Sequence, residues 1–445
     1  MSKKKMGRRQ FLQTAVAAGA GSVLGAGLVG SQVATALAAD KPTEMVSAVP
    51  AAQAATEINA VGIFPLTGAI AGDGIEMRNG TVMAIDEINE SLGGLLGKKI
   101  KYIEVDDVDS TGDQVTTAFR RAIDVEKADV IFSGYHLNSS PEFDICAEAG
   151  VLYYNNNTQK AWTDRYSANP DKYWSIFQTD PNEEWYGGGF ALFLDQLVQS
   201  GQYKPAKKTA YVLHGDEVYG AMIGATFVDQ ATKLGWEIVG NQAFTVGNVS
   251  DWGPLLSPVR DNPPAVLFTS DYNPADNANM IKQFVANPIP TVIYQHYGPS
   301  VPEYMDLAGE AANGVIWATV LGYLPDAIGQ DWTARYEKKF NAKPGWANAP
   351  GDYDSVWVWA KAVGLAGDHK DYKKVAKVTE SLIHRGVTGG ISFVNHAGVC
   401  YPWQKNDPSL GQSHIVVQIQ NKEYKVIFPD PYTDGKFQMP PWVQA

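Results

Sequence analysis

The sequence predicts an α/β fold made of two doubly wound parallel sheets. From Glu57 onward, short apolar runs alternate with segments in which apolar residues recur every three or four positions, the pattern of strands alternating with amphipathic helices. The alternation pauses after residue 156 and restarts at residue 183, so it forms two series. Strands alternating with helices indicate a parallel sheet covered on both faces, and two series indicate two sheets. The roughly 400 residues after position 38 suffice for two domains with sizeable cores.

The first series begins with the apolar run "INAVGIFPL". The segment after it carries apolar residues at helical spacing, such as Ile85 and Ile88, and ends at a pair of glycines at 93–94, which favours the end of a helix. The same alternation continues to residue 156. The strands of this series are predicted at 58–66, 100–106, 128–134 and 151–156, and the helices around 82–92, 115–122 and 139–149.

The second series alternates in the same way and ends with the strand "TVIYQH". Its apolar runs are again short and are bounded by turn-forming residues, as expected of buried parallel strands. The strands are predicted at 208–215, 237–244, 264–270 and 291–296, and the helices at 183–199, 219–235 and 274–286.

Residues 1–38 have the three parts of an export signal. A basic head at residues 3–9 precedes a Gly/Ala/Val/Leu run at 15–29 and a small-residue cleavage site at 36–38. The apolar run is too short and too rich in glycine for a membrane span. The mature protein is therefore expected in the periplasm.

Within that signal, "GRRQFLQ" resembles the twin-arginine type of export signal. The paired Arg8 and Arg9 followed by Phe11 and Leu12 are the specific part of the resemblance. Residues 39–56, which are rich in Ala, Pro, Thr and Gln, are expected to form a disordered lead-in.

The charge balance excludes two classes of partner. Residues 1–38 carry five basic and no acidic residues, so their removal takes the formal net charge from −12 to −17. Such a charge argues against nucleic acid or an anionic membrane surface as the partner.

Two cysteines remain, Cys146 and Cys400. They could pair if their Cα atoms lie within about 7 Å, or Cys146 could be a small core residue, and the sequence leaves both open.

The polar residues that follow the predicted strands indicate where a ligand would bind. In doubly wound sheets, ligands occupy the crevice beyond the carboxyl ends of the strands. The segments at these ends contain Thr, Ser, Asn, Tyr, Asp and His and few cations, which favours a small polar ligand held by hydrogen bonds. They are "PLTGAIAGDG" (65–74), "GYHLNSS" (134–140), "NNNT" (155–158), "HGDEVYG" (214–220), "TSDYNPAD" (269–276) and "QHYG" (295–298).

Five motifs in a fixed order carry a resemblance to a known family. They are "VGIFPLTGAIAGDG", "AIDEINESLGGLLGKKI", "VDD", "GEAANGVIWAT" and "YDSVWVWAKAV". Together they resemble the type I periplasmic solute-binding proteins of ABC importers, in particular the group that serves branched-chain amino acids, short amides and urea. The resemblance covers residues 57–430. It implies two lobes, joined by a hinge of three crossover strands, that close on a ligand held between them.

The resemblance also implies the boundaries of the two lobes. The chain would cross between them near Gln178, Val315 and Ile391, with the pair of strands "SHIVVQIQ" and "YKVIFPD" after the last crossing. Lobe I would then comprise residues 57–178 and 315–390, and lobe II residues 179–314 and 391–445.

The family's binding residues can be carried over position by position. The resemblance implies that Ser139 and Thr158 hold a carboxylate or amide oxygen of the ligand, and that Tyr219 covers the ligand from lobe II. Tyr219 could instead pack on its own lobe, and Asp271 could cap the helix that begins at Pro274. The full set of expected ligand-binding residues is Thr67, Tyr135, His136, Asn138, Ser139, Ser140, Asn156, Asn157, Thr158, Tyr219, Asp271, Tyr272, Asn273, His296 and Tyr297.

Tyr297 is the main departure from the family pattern. Amino-acid binders of this family present an acidic residue to the ligand's ammonium group, and here that position holds Tyr297, with His296 beside it. Unless Asp271 substitutes, an ammonium group would lack an ion partner in the closed cleft, which is costly. A neutral ligand, or a carboxylate without an α-ammonium group, is therefore expected.

The predicted function is capture of a small polar solute (an amide, a urea-like molecule, a carboxylate or an amino acid) and its delivery to the permease subunits of an ABC importer. The protein is expected to be a monomer without metal or cofactor. Two alternatives remain: a binding module that reports its ligand to a membrane sensor, and a hydrolase acting in the cleft. The chain has no G-x-S-x-G, H-E-x-x-H, P-loop or Cys-x-x-Cys motif, which disfavours an enzyme.

Overall fold

Two sheets organise the fold. The computed structural model describes residues 57–68, 70–136, 140–247, 249–393 and 411–444. The predicted export signal, the lead-in, Asn138, Ser139 and Cys400 lie outside the described residues. Cys146 is buried against the first sheet, and its pairing with Cys400 stays a prediction.

The first sheet consists of five parallel strands in the order β2-β1-β3-β4-β5. In its register Ile58 lies opposite Ile100, and Ala60 lies opposite Val130. The central strands are apolar and almost completely buried because helices cover both of their faces. The strands are β1 (Ile58–Phe64), β2 (Ile100–Asp106), β3 (Val130–Ser133), β4 (Leu152–Asn155) and β5 (Ile176–Gln178).

Helices on both faces of this sheet complete the first lobe. On one face, Phe132 packs edge-on against Trp359, with ring centroids 5.6 Å apart. On the other face, Phe119 packs edge-on against Tyr153 at 5.1 Å. The first face is covered by the helices Ala71–Ser91, Ala327–Phe340, Asn348–Ala366 and Tyr372–Ser381, and the second by Gly112–Asp124, Pro141–Ala149 and Lys160–Ala168.

The second sheet has seven strands in the order β14-β13-β10-β9-β8-β6-β7. Five of them are parallel, and the hairpin β13–β14, formed by the two strands predicted after the last crossing, is added antiparallel at one edge. The strands are β6 (Thr209–Gly215), β7 (Glu237–Phe244), β8 (Val266–Ser270), β9 (Val292–Gln295), β10 (Ile316–Thr319), β13 (Ile415–Gln420) and β14 (Glu423–Phe428), while β11 (Ile383–Arg385) and β12 (Gly390–Ser392) form a separate hairpin.

The core of the second lobe is rich in stacked aromatic rings. Phe268 lies between Phe227, at 4.1 Å, and Tyr294, at 4.7 Å, with the rings nearly parallel in both pairs. The helices Glu184–Gln199 and Val218–Lys233 cover this face of the sheet. The helices Gly253–Asp261, Pro274–Val285 and Pro302–Ala308 cover the other face, and short 3₁₀ turns at Gly298–Ser300 and Gly309–Ala312 and the terminal helix Pro441–Gln444 complete the lobe.

The second crossing between the lobes lies later than predicted. The boundary expected near Val315 assigned β10 to the first lobe, but β10 pairs with β9 and β13 of the second sheet. Ile316 and Trp317 are fully buried on opposite faces of that sheet. The chain therefore enters the first lobe only after Thr319. β5 ends at Gln178, and Ile391, where the third crossing was expected, still packs in the core of the first lobe.

The predicted fold class, with two doubly wound parallel sheets, is confirmed. Several helices have no counterpart among those predicted from the two series, among them Lys160–Ala168, Gly253–Asp261, Ala327–Phe340 and Tyr372–Ser381. In the part of the chain that the structure describes, none of the helices has both the length and the apolar character required to cross a membrane.

Candidate functional site

A cavity of about 210 Å³ lies where the carboxyl ends of strands from both sheets meet. Asn156 follows β4 directly, while Tyr272 and Tyr297 come two residues after β8 and β9. This is the position at which doubly wound sheets bind ligands. The cavity is lined by Tyr135, Asn156, Asn157, Thr158, Gln159, Ala161, Trp162, Tyr186, Glu217, Val218, Tyr219, Tyr272, Tyr297, Leu321 and Asn348.

The volume and the lining limit the size and character of a ligand. An engineered apolar cavity of about 150 Å³ accepts benzene, so this cavity suits a solute of roughly ten non-hydrogen atoms. Five of the lining residues are tyrosines, and Trp162 adds a sixth aromatic ring. Aromatic walls with a few polar groups are typical of sites that bind a solute with an apolar body and a hydrogen-bonding head.

The first lobe contributes the Asn-rich end of β4, and its asparagines have different roles. The amide oxygen of Asn155 accepts from the backbone N–H of Asn157 (3.1 Å), which turns Asn155 away from the cavity and fixes the loop. Asn156 donates to the Ser355 hydroxyl (3.0 Å). The side chain of Asn157 is 1% exposed, lines the cavity, and has no hydrogen-bond partner for its amide oxygen or nitrogen among the described residues. An unpaired buried amide is costly, so Asn157 is available to a ligand.

The second lobe contributes a wall of tyrosines. The hydroxyl group of Tyr219 lies 3.1 Å from Nε2 of His296, and its ring lies 6.3 Å from that of Tyr272 in an edge-on arrangement. His296 is fully buried behind this wall. Burial, together with the nearby His414, lowers the pKa of His296 to about 3, so the imidazole is neutral at physiological pH. His296 therefore fixes the Tyr219 hydroxyl and adds no charge to the site.

Tyr297 connects the second lobe to the first. Its hydroxyl lies 3.0 Å from Oδ1 of Asn348 and 3.3 Å from Oδ2 of Asp73, both of which are acceptors in the first lobe. The hydroxyl of Tyr135 donates to the same Asp73 oxygen. Tyr297 has φ of +57° and ψ of −51°, a strained conformation for a bulky residue. Such strain is found where function requires one particular side-chain direction.

The charge of the site is low and negative. None of the lining residues is a lysine or an arginine, and Glu217 is the single carboxylate among them. Both oxygens of Glu217 accept from the N–H of Gly220, at 2.9 and 2.8 Å, so this side chain caps the helix Val218–Lys233. Burial raises the pKa of Glu217. Just behind the cavity, burial raises the pKa of Asp73 to about 6, so that group is still mostly ionised at neutral pH.

Seven of the predicted ligand-binding residues line this cavity: Tyr135, Asn156, Asn157, Thr158, Tyr219, Tyr272 and Tyr297. Three predicted residues of the first lobe do not. The hydroxyl of Thr67 is exposed and donates to Asp106 (2.8 Å). The hydroxyl of Ser140 accepts from Arg165 (2.6 Å) at the start of a helix. His136 is fully buried in the lobe, beside two carboxylates.

Three predicted residues of the second lobe are also absent from the wall, and one of them was the possible partner of an ammonium group. Asp271 is 1% exposed; its Oδ1 accepts from the N–H of Asn273 (2.8 Å), and its Oδ2 has no hydrogen-bond partner among the described residues. The side chain of Asn273 accepts from the N–H groups of Ala275 and Asp276 and caps the helix Pro274–Val285. His296 lies behind Tyr219. Asp271 therefore stands outside the cavity wall that the structure describes.

Several lining residues were missed by the sequence reasoning. Glu217 and Val218 stand in a segment that the strand-end rule had selected, and Gln159 directly follows another, but their residue types gave no reason to prefer them. Tyr186 and Leu321 follow shortly after the first and second crossings between the lobes, and Asn348 begins the helix Asn348–Ala366. Only the arrangement of the lobes brings them to the cavity, so no local signal could have found them.

The sequence is similar to those of known periplasmic binding proteins. A family model described as periplasmic binding protein matches residues 57–401. A leucine-, isoleucine-, valine-, threonine- and alanine-binding protein of Pseudomonas aeruginosa is 24% identical over 77% of this chain and 88% of its own length.

Solved structures of similar proteins have the same fold as this chain. A putative branched-chain amino acid ABC transporter protein from Silicibacter pomeroyi superposes with a TM-score of 0.82 at 35% identity, covering 87% of this chain and 100% of that one. A branched-chain amino acid transporter substrate-binding protein from Streptococcus pneumoniae in complex with isoleucine superposes with a TM-score of 0.68 at 18% identity, covering 84% of this chain and 100% of that one. The second likeness concerns the fold alone.

Proposed function

The chain belongs to the periplasmic binding protein family, and from that premise we propose that it is the solute-binding component of an ABC importer. It captures a small solute in the cavity between its two lobes and presents the closed, loaded form to the permease subunits. It acts as a monomer and returns the solute chemically unchanged.

The main support for this proposal is that residues of both lobes form the wall of the cavity. The hydroxyl of Tyr297, in the second lobe, lies 3.0 Å from Oδ1 of Asn348 and 3.3 Å from Oδ2 of Asp73, both in the first lobe. These contacts exist only when the lobes are together. A solute that contacts both walls therefore favours the closed form by binding it better than the open form.

We assign a short amide or a urea-like molecule as the solute class. A carboxylate would enter a cavity that has no cation in its wall and has Glu217 and Asp73 nearby. An α-ammonium group would find Tyr297 where an acid stands in amino-acid binders. A neutral amide avoids both costs, and its N–H and C=O groups match the unpaired amide of Asn157.

A thermal-shift screen of the mature protein tests this assignment. Short amides and urea should raise the melting temperature more than leucine, isoleucine or valine. A ligand that binds only the folded state stabilises it by about 2.7 kcal/mol at a hundredfold excess over its dissociation constant, which such a screen resolves. Chromatography of the mixture should recover the amide intact. A larger shift with a branched-chain amino acid would contradict the assignment, and loss of the amide would contradict a purely binding role.

Export by the twin-arginine route is part of the proposal. Replacing both Arg8 and Arg9 with lysine keeps the charge of the basic head but removes the paired arginines. We expect the precursor of this variant to accumulate in the cytoplasm, as measured by fractionation and immunoblotting. The matched control replaces Lys3 and Lys4 with arginine and should be exported normally. Normal maturation of the first variant would rule out this route.

A further inference from the structure

Asp73 does not line the cavity, but it holds two tyrosines that do. It stands in the first turn of the helix Ala71–Ser91, where the helix dipole favours a negative charge. Its Oδ2 accepts from the hydroxyl of Tyr135 and lies 3.3 Å from the hydroxyl of Tyr297. One carboxylate oxygen therefore joins two residues of the cavity wall, one from each lobe.

The positions of the hydroxyl protons follow from this geometry. A tyrosine hydroxyl has one proton and two lone pairs. The proton of Tyr135 is directed at Asp73, and the proton of Tyr297 has Asp73 and Oδ1 of Asn348 as its acceptors, both on the first-lobe side of the site. With their protons committed in this way, both hydroxyls have only lone pairs left for a solute.

We propose that Asp73, acting through Tyr135 and Tyr297, makes this end of the cavity select a hydrogen-bond donor on the solute. The inference rests on the proposed function and specifies how that site chooses its solute. The N–H₂ group of a primary amide donates to the hydroxyl oxygens of Tyr135 and Tyr297. A carboxylate of the same shape has no proton to donate and meets lone pairs there. Asp73 is thus a positioning residue that sets specificity without touching the solute.

Two probes of equal shape isolate this preference: 4-methylpentanamide and 4-methylpentanoate at pH 7.5. They share one carbon skeleton, but the amide is neutral and carries N–H donors, whereas the carboxylate is negatively charged and carries none. Calorimetric titration of the wild-type protein should show the amide binding at least about tenfold more tightly, which corresponds to about 1.4 kcal/mol.

The variant Asp73→Asn should reduce this preference by about tenfold, a loss in the range measured for one hydrogen bond to a charged group. An asparagine side chain is neutral and carries an N–H₂ donor in place of one carboxylate oxygen, so it holds the protons of Tyr135 and Tyr297 less strongly and they can turn to the cavity. Affinity for the amide should fall, while affinity for the acid should rise. A role of Asp73 in stability alone would weaken both probes equally.

The variant Tyr135→Phe provides a second test that keeps the aromatic ring. It removes one of the two accepting hydroxyls, so amide binding should weaken while binding of the acid should not. Equal or tighter binding of the acid by the wild type, or an unchanged preference in both variants, would overturn the role of Asp73 and leave the binding function in place. Failure of the wild-type protein to bind either probe would overturn the proposed function and this inference with it.

Discussion

The variant Tyr219→Ala should lose most of its affinity for the solute. Tyr219 lines the cavity from the second lobe, and its hydroxyl is fixed by the neutral His296 at 3.1 Å. Removing a buried aromatic anchor from a binding site typically costs 2 kcal/mol or more. We therefore expect the dissociation constant of the best amide to rise by about 30-fold or more, measured by calorimetric titration. At a hundredfold excess over the wild-type dissociation constant, its stabilisation should fall to about a third or less of the wild-type value.

Tyr203→Ala is the matched control. Tyr203 is a buried tyrosine of the same lobe whose hydroxyl donates to the carbonyl oxygen of Ala265 (2.7 Å), away from the cavity. Its replacement should lower the melting temperature of the free protein, because truncating a buried aromatic side chain costs about 3–5 kcal/mol, but should preserve the shift on binding. If Tyr219→Ala behaved like this control, Tyr219 would merely support its lobe.

The variant His136→Ala should be strongly destabilised but should still bind the solute. His136 is fully buried, with its ring nitrogens 3.4 Å from Asp107 and 3.6 Å from Glu142, which are themselves almost completely buried. Removing one partner of a buried ion pair leaves the others uncompensated and typically costs about 3–5 kcal/mol. Denaturant unfolding should show this loss, while the solute affinity should remain that of the wild type because His136 does not line the cavity.

The stability that His136 contributes should depend on pH in a definite direction. Burial alone would lower the pKa of His136, but contact with Glu142 and the charge of Asp107 raise it overall above 6.5. A histidine whose folded-state pKa is raised contributes stability that is fully present below pH 6.5 and is lost as the pH rises through the folded-state value. The difference in unfolding free energy between wild type and His136→Ala should therefore shrink above that value.

His214→Ala is the control for His136. His214 is half-buried, and its Nδ1 is hydrogen-bonded to the carbonyl oxygen of Gly215 (2.8 Å). Its replacement should cost less than that of His136. A small, pH-independent loss at His136 would show that its contacts with Asp107 and Glu142 contribute little to stability.

Part of the site follows from local sequence rules. The apolar runs fix the strands, and the strand-end rule selects the segments that meet at the cavity, among them Asn156–Thr158 and the loop with Tyr272. The same rule also selected Asp271 and Asn273, which cap and brace their own loop. A polar residue after a strand can hydrogen-bond either to a ligand in the cleft or to the neighbouring backbone. The residue type does not tell which of the two it does.

The sequence by itself determined the fold class, the two series of strands and most of the segments at the site, because periodicity and turn residues act over a few positions. Only the tertiary structure decided which side chains face the cavity and which groups stand behind them. Asp73 and Tyr297 are 224 positions apart, and their contact exists because the two lobes come together. A hydrogen bond between such distant residues depends on the packing of both lobes, and no local pattern encodes it.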